Sequence, residues 1–178
     1  MKTLTLLRHA KSSWDDAAAR DFDRPLNGRG RRAAQTIGRE MRALGLTFDQ
    51  VIASPAARVV ETLREVEQGY GAALGPEFDR RIYLAPAELL LDLIHAARDS
   101  AGTLLLVGHN PGLETLALEL GADAAAKAEI ATKYPTAALT EISFPVERWA
   151  DVGRGDGTIT RFIRPRDLDP ELGPDEES

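Results

Sequence analysis

The sequence contains no cysteine, which excludes disulfides, thiolate metal ligands and cysteine nucleophiles. It also lacks any apolar run near the roughly 18 residues that a membrane-spanning helix requires. The apolar N-terminal segment is interrupted early by Arg8 and His9, so it is too short for a signal peptide. From these absences we expect a cytoplasmic protein that does not associate with a membrane.

Positive charge is also scarce, because 22 Lys and Arg residues face 28 Asp and Glu residues and leave a net charge of −6. Nucleic acid is therefore not expected as the main partner, since nucleic-acid binders carry a basic face. An anionic substrate would need a local basic pocket. The 178 residues, 43% of them hydrophobic, suffice for one domain with a core. We place that domain at residues 1–165 and expect the acidic, proline-containing tail 166–178 to be frayed.

Apolar patterning predicts strands that alternate with helices. Short apolar or alternating runs predict strands at 4–7, 51–53, 103–107, 139–144 and 158–163, with a further strand ending at 82–84. Helical spacing predicts helices at 29–44, 86–98 and 111–120. A further helix is predicted to begin at Pro55, with Ser54 as its N-cap. Segment 10–27 is predicted to be a long loop. This order predicts an α/β class, a three-layer α/β/α sandwich with a largely parallel central sheet.

Ligands of such sheets bind beyond the carboxyl ends of the strands. Arg8 and His9 follow the first strand, Ser54 and Arg58 follow the second, and His109 follows the strand at 103–107. A neutral imidazole can attack a dianionic phosphoryl group without charge repulsion, and arginine binds phosphoryl oxygens in bidentate fashion. These residues therefore point to phosphoryl transfer with His9 as nucleophile.

Each residue also has an ordinary structural interpretation. Arg8 and His9 could form a solvated strand end, Arg58 could be a helix-surface charge, and His109 before Asn-Pro-Gly could belong to a turn. His95 is interpreted as a structural residue. The three histidines have no metal-ligand spacing, so neither a metal nor another cofactor is expected.

Four segments, taken in order, resemble the histidine phosphatase superfamily. They are Leu6-Leu7-Arg8-His9-Ala10-Lys11-Ser12, Arg24-Pro25-Leu26-Asn27 with Gly28 and Gly30, Ser54-Pro55-Ala56-Ala57-Arg58-Val59-Val60-Glu61-Thr62, and Val107-Gly108-His109-Asn110-Pro111-Gly112. The sequence is most similar to the short SixA-type phosphohistidine phosphatase branch. The resemblance implies a phosphoglycerate-mutase-like fold, a phospho-His9 intermediate, and a phosphate pocket completed by Arg8, Arg58 and His109.

Two positions depart from the family pattern, and the general acid is only weakly defined. Ala10 stands where the wider family usually has Gly, and Asp15 stands where mutase-like members tend to carry Asn. A carboxylate there would repel phosphate, so Asp15 is expected to point away. Larger relatives carry an acid after the third strand region, and Glu88 is the nearest candidate. Glu88 could equally be an acid favoured by the dipole of a helix N-terminus.

The sequence thus predicts a metal-independent phosphatase that removes phosphate from phosphohistidine on a protein and releases inorganic phosphate. The absence of a large insertion favours an open site that admits a protruding side chain. A phosphatase of small phosphate esters, including a mutase, is the first alternative. A phosphate-binding module without turnover is the second.

Overall fold

The computed structural model describes residues 1–17 and 19–173. Its six-stranded sheet has the order β3-β2-β4-β1-β5-β6. The strands span β1 Lys2–Arg8, β2 Gln50–Ala53, β3 Glu77–Phe78, β4 Thr103–Gly108, β5 Leu139–Phe144 and β6 Thr158–Ile163. Strands β1 to β4 run parallel, whereas β5 and β6 pair antiparallel at one edge. The predicted α/β class with a largely parallel sheet is confirmed.

Helices cover both faces of this sheet. They span α1 Gly28–Ala43, α2 Ala57–Tyr70, α3 Ala87–His95, α4 Gly112–Leu120, α5 Ala124–Thr132 and α6 Pro165–Leu168. Helices α1 and α2 cover one face and α3, α4 and α5 cover the other. None of the described helices is both long enough and apolar enough to cross a membrane.

Alternate residues of the central strands fill two separate cores. Leu4 and Leu6 of β1 point into the core beneath α3 and α4, whereas Leu7 points into the core beneath α1 and α2. All three side chains are fully buried. This two-sided burial explains why the adjacent residues Leu6 and Leu7 are both apolar, in place of a strict alternation with polar residues. β1 pairs with β4 in a register that places Thr3 opposite Thr103 and Arg8 opposite Gly108.

Three local predictions were wrong. Helix α2 begins at Ala57 without a side-chain cap, so Ser54 is not its N-cap. Residues 82–84 do not end a strand, because Ile82 closes a short 3₁₀ turn, Arg80–Ile82, that follows β3. The tail is not frayed over 166–173: it contains α6 and a second 3₁₀ turn, Pro170–Leu172, and Leu172 is buried.

Contacts with α1 and with the core beneath it hold this part of the tail. Arg32 of α1 binds the carboxylates of both Asp169 and Glu171. Leu172 packs into the core beneath α1 and α2. The sequence shows no helical period after Pro165, so these contacts with a distant helix could not be predicted from it. Residues 174–178 lie outside the described residues.

Candidate active site

The carboxyl ends of β2, β4 and β1 are adjacent, and each delivers a polar side chain to one pocket. Arg8 is the last residue of β1 and His9 follows it, Ser54 follows β2, and His109 follows β4. The rings of His9 and His109 lie with their centroids 5.4 Å apart. The structure therefore brings together the two histidines that the sequence singled out.

Arg58 enters the pocket from the first turn of α2. Its side chain is 3% exposed, and its Nη2 atom lies 3.3 Å from Nδ1 of His109. Its Nε atom is buried without a hydrogen-bond partner among the described residues. A buried N–H without a partner is costly unless it serves a ligand. This donor is thus suited to an anion held between Arg58 and the two histidines.

Arg8 is fixed at the end of β1 by the chain that precedes β5. Its Nη1 atom donates to the carbonyl oxygen of Tyr134 at 2.9 Å, and Asn110 donates to the same oxygen at 3.2 Å. Burial lowers the pKa of Arg8, while the nearby Glu114 carboxylate acts in the opposite direction. Arg8 remains a cation, because an arginine does not lose its proton in proteins.

The protonation of His9 follows from a single contact. Its Nδ1 atom lies 2.7 Å from the carbonyl oxygen of Ala10, which can only accept a hydrogen bond, so Nδ1 carries the proton. The lone pair is therefore on Nε2. Burial lowers the pKa of His9 well below 6.5, with further lowering by the charges of Arg8 and Arg58. The ring is neutral near pH 7, as a nucleophile requires.

His109 is oriented by two partners. Nδ1 accepts from Arg58, so Nε2 carries the proton and donates to Oγ of Ser54 at 2.8 Å. Burial and the Arg58 charge lower the pKa of His109 to about 3. A protonated His109 would add a third cationic donor to Arg8 and Arg58. Protein groups alone oppose that state, and a phosphoryl dianion beside the ring would favour it.

Thr62 connects the turn after His9 to helix α2. Its hydroxyl accepts from the Ala10 N–H at 2.9 Å and donates to the carbonyl oxygen of Arg58 at 2.6 Å. Ala10 is fully buried. The hydroxyl thereby couples the placement of His9 to that of Arg58.

The long loop packs against α1 through a glycine. A Cβ atom at Gly30 would lie 2.1 Å from the carbonyl oxygen of Lys11, so only glycine permits this approach. Asn27 caps α1 by accepting from the Gly30 N–H at 2.8 Å. The segment with Gly28 and Gly30 thus forms the entry into a helix, as predicted.

The structure places the weaker candidates away from these contacts. Glu88 lies exposed on the first turn of α3, and no hydrogen bond or ion pair joins it to Arg8, His9, Arg58 or His109. Asp15 is exposed in the loop after β1. His95, interpreted as structural, lies 2.7 Å through Nε2 from the carbonyl oxygen of Val152. Among residues 1–17 and 19–173, no group of three or more His, Asp or Glu side chains could hold a metal ion.

Sequence reasoning missed several residues that contact the site. Asp21 binds Arg58 through its carboxylate and its backbone carbonyl. Tyr83 packs edge-on against His109, with ring centroids 5.4 Å apart. Asp21 lies in the predicted loop 10–27, which has no periodicity, and Tyr83 lies in a segment that was wrongly predicted to end a strand. Ser54 was predicted both as a strand-end residue of the site and as a helix cap, but not as the partner of His109.

Comparison with known proteins agrees with this geometry. The model of the histidine phosphatase superfamily, branch 1, matches residues 4–82, a range that holds Arg8, His9 and Arg58. An uncharacterized protein of Mycobacterium tuberculosis is 35% identical over 164 residues, which covers 90% of this chain and 100% of that protein. The chain belongs to the histidine phosphatase superfamily.

Solved structures extend the similarity to nearly the whole chain. A candidate phosphohistidine phosphatase SixA from Nakamurella multipartitia has a TM-score of 0.80 and 27% identity, covering 92% of this chain and 96% of its own. A second one, from Agrobacterium tumefaciens, has a TM-score of 0.76 and 28% identity, and the match covers 91% of this chain and 97% of that protein. Together with the site, these relatives support phosphatase activity.

Proposed function

We propose that this chain hydrolyses phosphohistidine on a protein through a phospho-His9 intermediate. Nε2 of His9 attacks phosphorus, the P–N bond of the substrate breaks, and the departing imidazole takes its proton from solvent. Water then attacks the phosphorus of phospho-His9, which releases inorganic phosphate and restores the neutral ring. The Nδ1–H bond to Ala10 can persist throughout, because only Nε2 reacts.

The phosphoryl group would be held by cations from the ends of β1 and β4 and from the first turn of α2. Arg8 and Arg58 would bind its equatorial oxygens. The dianion would raise the pKa of His109 from about 3, and the protonated Nδ1 would then donate to the phosphoryl group instead of accepting from Arg58. The Nε atom of Arg58 supplies a donor that no group of the described residues occupies. Catalysis of phosphoryl transfer depends mainly on such positioning and charge stabilisation.

The state of the carboxylate that touches the site supports the choice of phosphohistidine. Asp21 contacts Arg58, and hydrogen bonds from Tyr83 together with the Arg58 charge lower its pKa to about 2 against the opposing effect of burial. An ionised carboxylate cannot protonate a leaving group. A phosphoramidate tolerates this, because an imidazole departs more easily than an alkoxide. The names of the two SixA structures point to the same substrate class.

The test compares kcat/KM for a phosphohistidine peptide, an aryl phosphate and an alkyl phosphate, in the presence of EDTA. The proteins are wild type, Glu88→Gln and Glu114→Gln, because Glu114 is the carboxylate whose charge acts on Arg8. We expect turnover of the peptide and the aryl ester to change by less than about tenfold, and the alkyl ester to be poor throughout.

Other outcomes would identify the alternatives. Efficient alkyl turnover that collapses by roughly 10²–10⁴-fold in either variant would identify a small-ester phosphatase with a protein acid. Binding of inorganic phosphate without turnover of any substrate would identify a phosphate-binding module. Activity lost in EDTA and restored by zinc or magnesium would contradict the metal-independent mechanism.

A further inference from the structure

Asp21 holds Arg58 through two different oxygen atoms. Nη1 of Arg58 donates to the backbone carbonyl oxygen of Asp21 at 2.7 Å, and Nη2 donates to its carboxylate Oδ2 at 3.0 Å. Asp21 begins the 3₁₀ turn Asp21–Asp23 in the long loop, 37 residues before Arg58. The loop therefore contributes to the site although none of its side chains was predicted to.

The Asp21 carboxylate is itself held in place from two sides. The hydroxyl of Tyr83 donates to the same Oδ2 atom at 2.5 Å, and Nε of Arg24 donates to Oδ1 at 3.2 Å. Arg24 is buried and donates in turn to Oγ of Ser12 at 2.7 Å. The carboxylate thus has a fixed orientation although its side chain is 42% exposed.

These contacts act on the part of the guanidinium that faces the histidines. Once Asp21 binds both Nη atoms, the guanidinium plane is fixed, Nη2 still reaches Nδ1 of His109, and Nε is left for a ligand. A guanidinium bound at Nη2 alone could rotate about its long side chain. Displacement of a transition-state donor by about 1 Å can cost 10²-fold in rate.

We propose that Asp21 is a positioning residue that fixes the guanidinium of Arg58 for phosphoryl transfer, and that Tyr83 orients the Asp21 carboxylate. The inference rests on the proposed function only in that the transferred group is a phosphoryl group. The opposite role is also chemically conceivable: the carboxylate would compete with the phosphoryl group for Arg58. The two roles predict changes of opposite sign in turnover when Asp21 loses its charge.

A double-mutant cycle tests the proposal on aryl phosphate turnover. Asp21→Asn should lower kcat by about 10–100-fold in the wild-type background and by less than about twofold in Arg58→Ala, because its effect passes through Arg58. Tyr83→Phe should cause a smaller loss that also disappears in Arg58→Ala. Asp23→Asn is the matched control, since it removes the same charge from the same turn. Its kcat should stay within about twofold of wild type.

Nuclear magnetic resonance of the Arg58 guanidinium gives a readout that does not depend on turnover. Wild type and Asp23→Asn should show slow rotation about the Nε–Cζ bond, with separate Nη signals, whereas Asp21→Asn should show averaged signals. Separate signals in Asp21→Asn would contradict the proposal. A faster Asp21→Asn enzyme would show instead that the carboxylate competes with the phosphoryl group for Arg58. An equal loss of kcat in both backgrounds would show that Asp21 acts through a group other than Arg58. Absence of turnover in wild type would refute the proposed function while leaving this spectroscopic test intact.

Discussion

Among the described residues, both ends of the sheet bury cationic groups, but the cation at the carboxyl end leaves a donor for a ligand, whereas the one at the amino end is bound by the protein. At the amino end, Nζ of Lys2 donates to the carbonyl oxygens of Asp99 and Ala101 at 2.6 and 2.9 Å and lies 5.7 Å from the centroid of the Trp149 ring. At the carboxyl end, Arg58 retains an Nε atom that has no hydrogen-bond partner among residues 1–17 and 19–173. The difference separates charge that stabilises the fold from charge arranged for an anion.

The histidines show the same contrast. His9 and His109 are buried beside arginines, and their pKa values are lowered mainly by burial. His95, at the end of α3, instead uses Nε2 to bind the carbonyl oxygen of Val152. Substitutions at the two ends should therefore affect different measurements: turnover at the carboxyl end and the free energy of unfolding at the amino end.

The largest effect is expected at His9. His9→Ala should lower kcat by roughly 10⁴-fold or more, because the proposed covalent intermediate forms on this residue. Wild type mixed briefly with labelled substrate should carry acid-labile, base-stable label on Nε2 of His9. The urea midpoint of the variant serves as the control for folding. Label on Ser12 or Ser13 would contradict the mechanism.

Arg58 should give the next largest effect. Arg58→Ala should lower kcat/KM by on the order of 10³-fold, because a charged transition-state donor is lost. Arg58→Lys should recover little, since an ammonium cannot bind Asp21 and His109 at once while presenting an Nε donor. Nearly full activity in Arg58→Lys would show that the guanidinium geometry is not used.

The meeting of Arg8, His9, Arg58 and His109 in one pocket could be predicted, because the elements that carry them are readable in the sequence. Apolar runs locate β1 and β4, and the rule for parallel sheets places the residues after them at one edge. Asp21 and Tyr83 could not be predicted in this way, because they lie in irregular segments whose course depends on distant contacts. Ser54 shows a different limit. Its position before Pro55 fits a helix cap equally well, and only the position of His109 in space assigns its hydroxyl to that ring.

At the amino end, Lys2→Met should lower the free energy of unfolding and leave kcat/KM unchanged. The substitution keeps the buried chain but removes the ammonium from two carbonyl oxygens, at a cost of about 1–3 kcal/mol. Urea unfolding and the peptide assay measure the two effects. A loss of turnover without a loss of stability would show that the two ends of the sheet are coupled.

The buried histidines of the carboxyl end should make stability sensitive to acid. Their pKa values are lowered in the folded state, so below about pH 6.5 the unfolded chain binds protons that the folded chain does not. The stabilisation contributed by the two neutral histidines is therefore fully present above about pH 6.5 and is lost as the pH falls. Each histidine contributes a slope of at most about 1.4 kcal/mol per pH unit. His109→Gln should reduce this slope between about pH 6.5 and 5, measured by urea unfolding; an unchanged slope would mean that His109 titrates alike in both states.

The smallest effect is expected at His95, where the histidine serves a contact rather than a reaction. Its Nε2–H donates to the carbonyl oxygen of Val152, which connects the end of α3 to the 3₁₀ turn Trp149–Asp151. In His95→Gln the side-chain amide can supply a donor at a similar distance from the backbone. We therefore expect kcat/KM within about twofold of wild type and a stability loss below about 1 kcal/mol. His95→Ala removes the donor and should lose about 1 kcal/mol while keeping its turnover. A folded His95→Gln protein with strongly reduced turnover would show that the third histidine also serves catalysis, and the contrast between the two histidine environments would no longer hold.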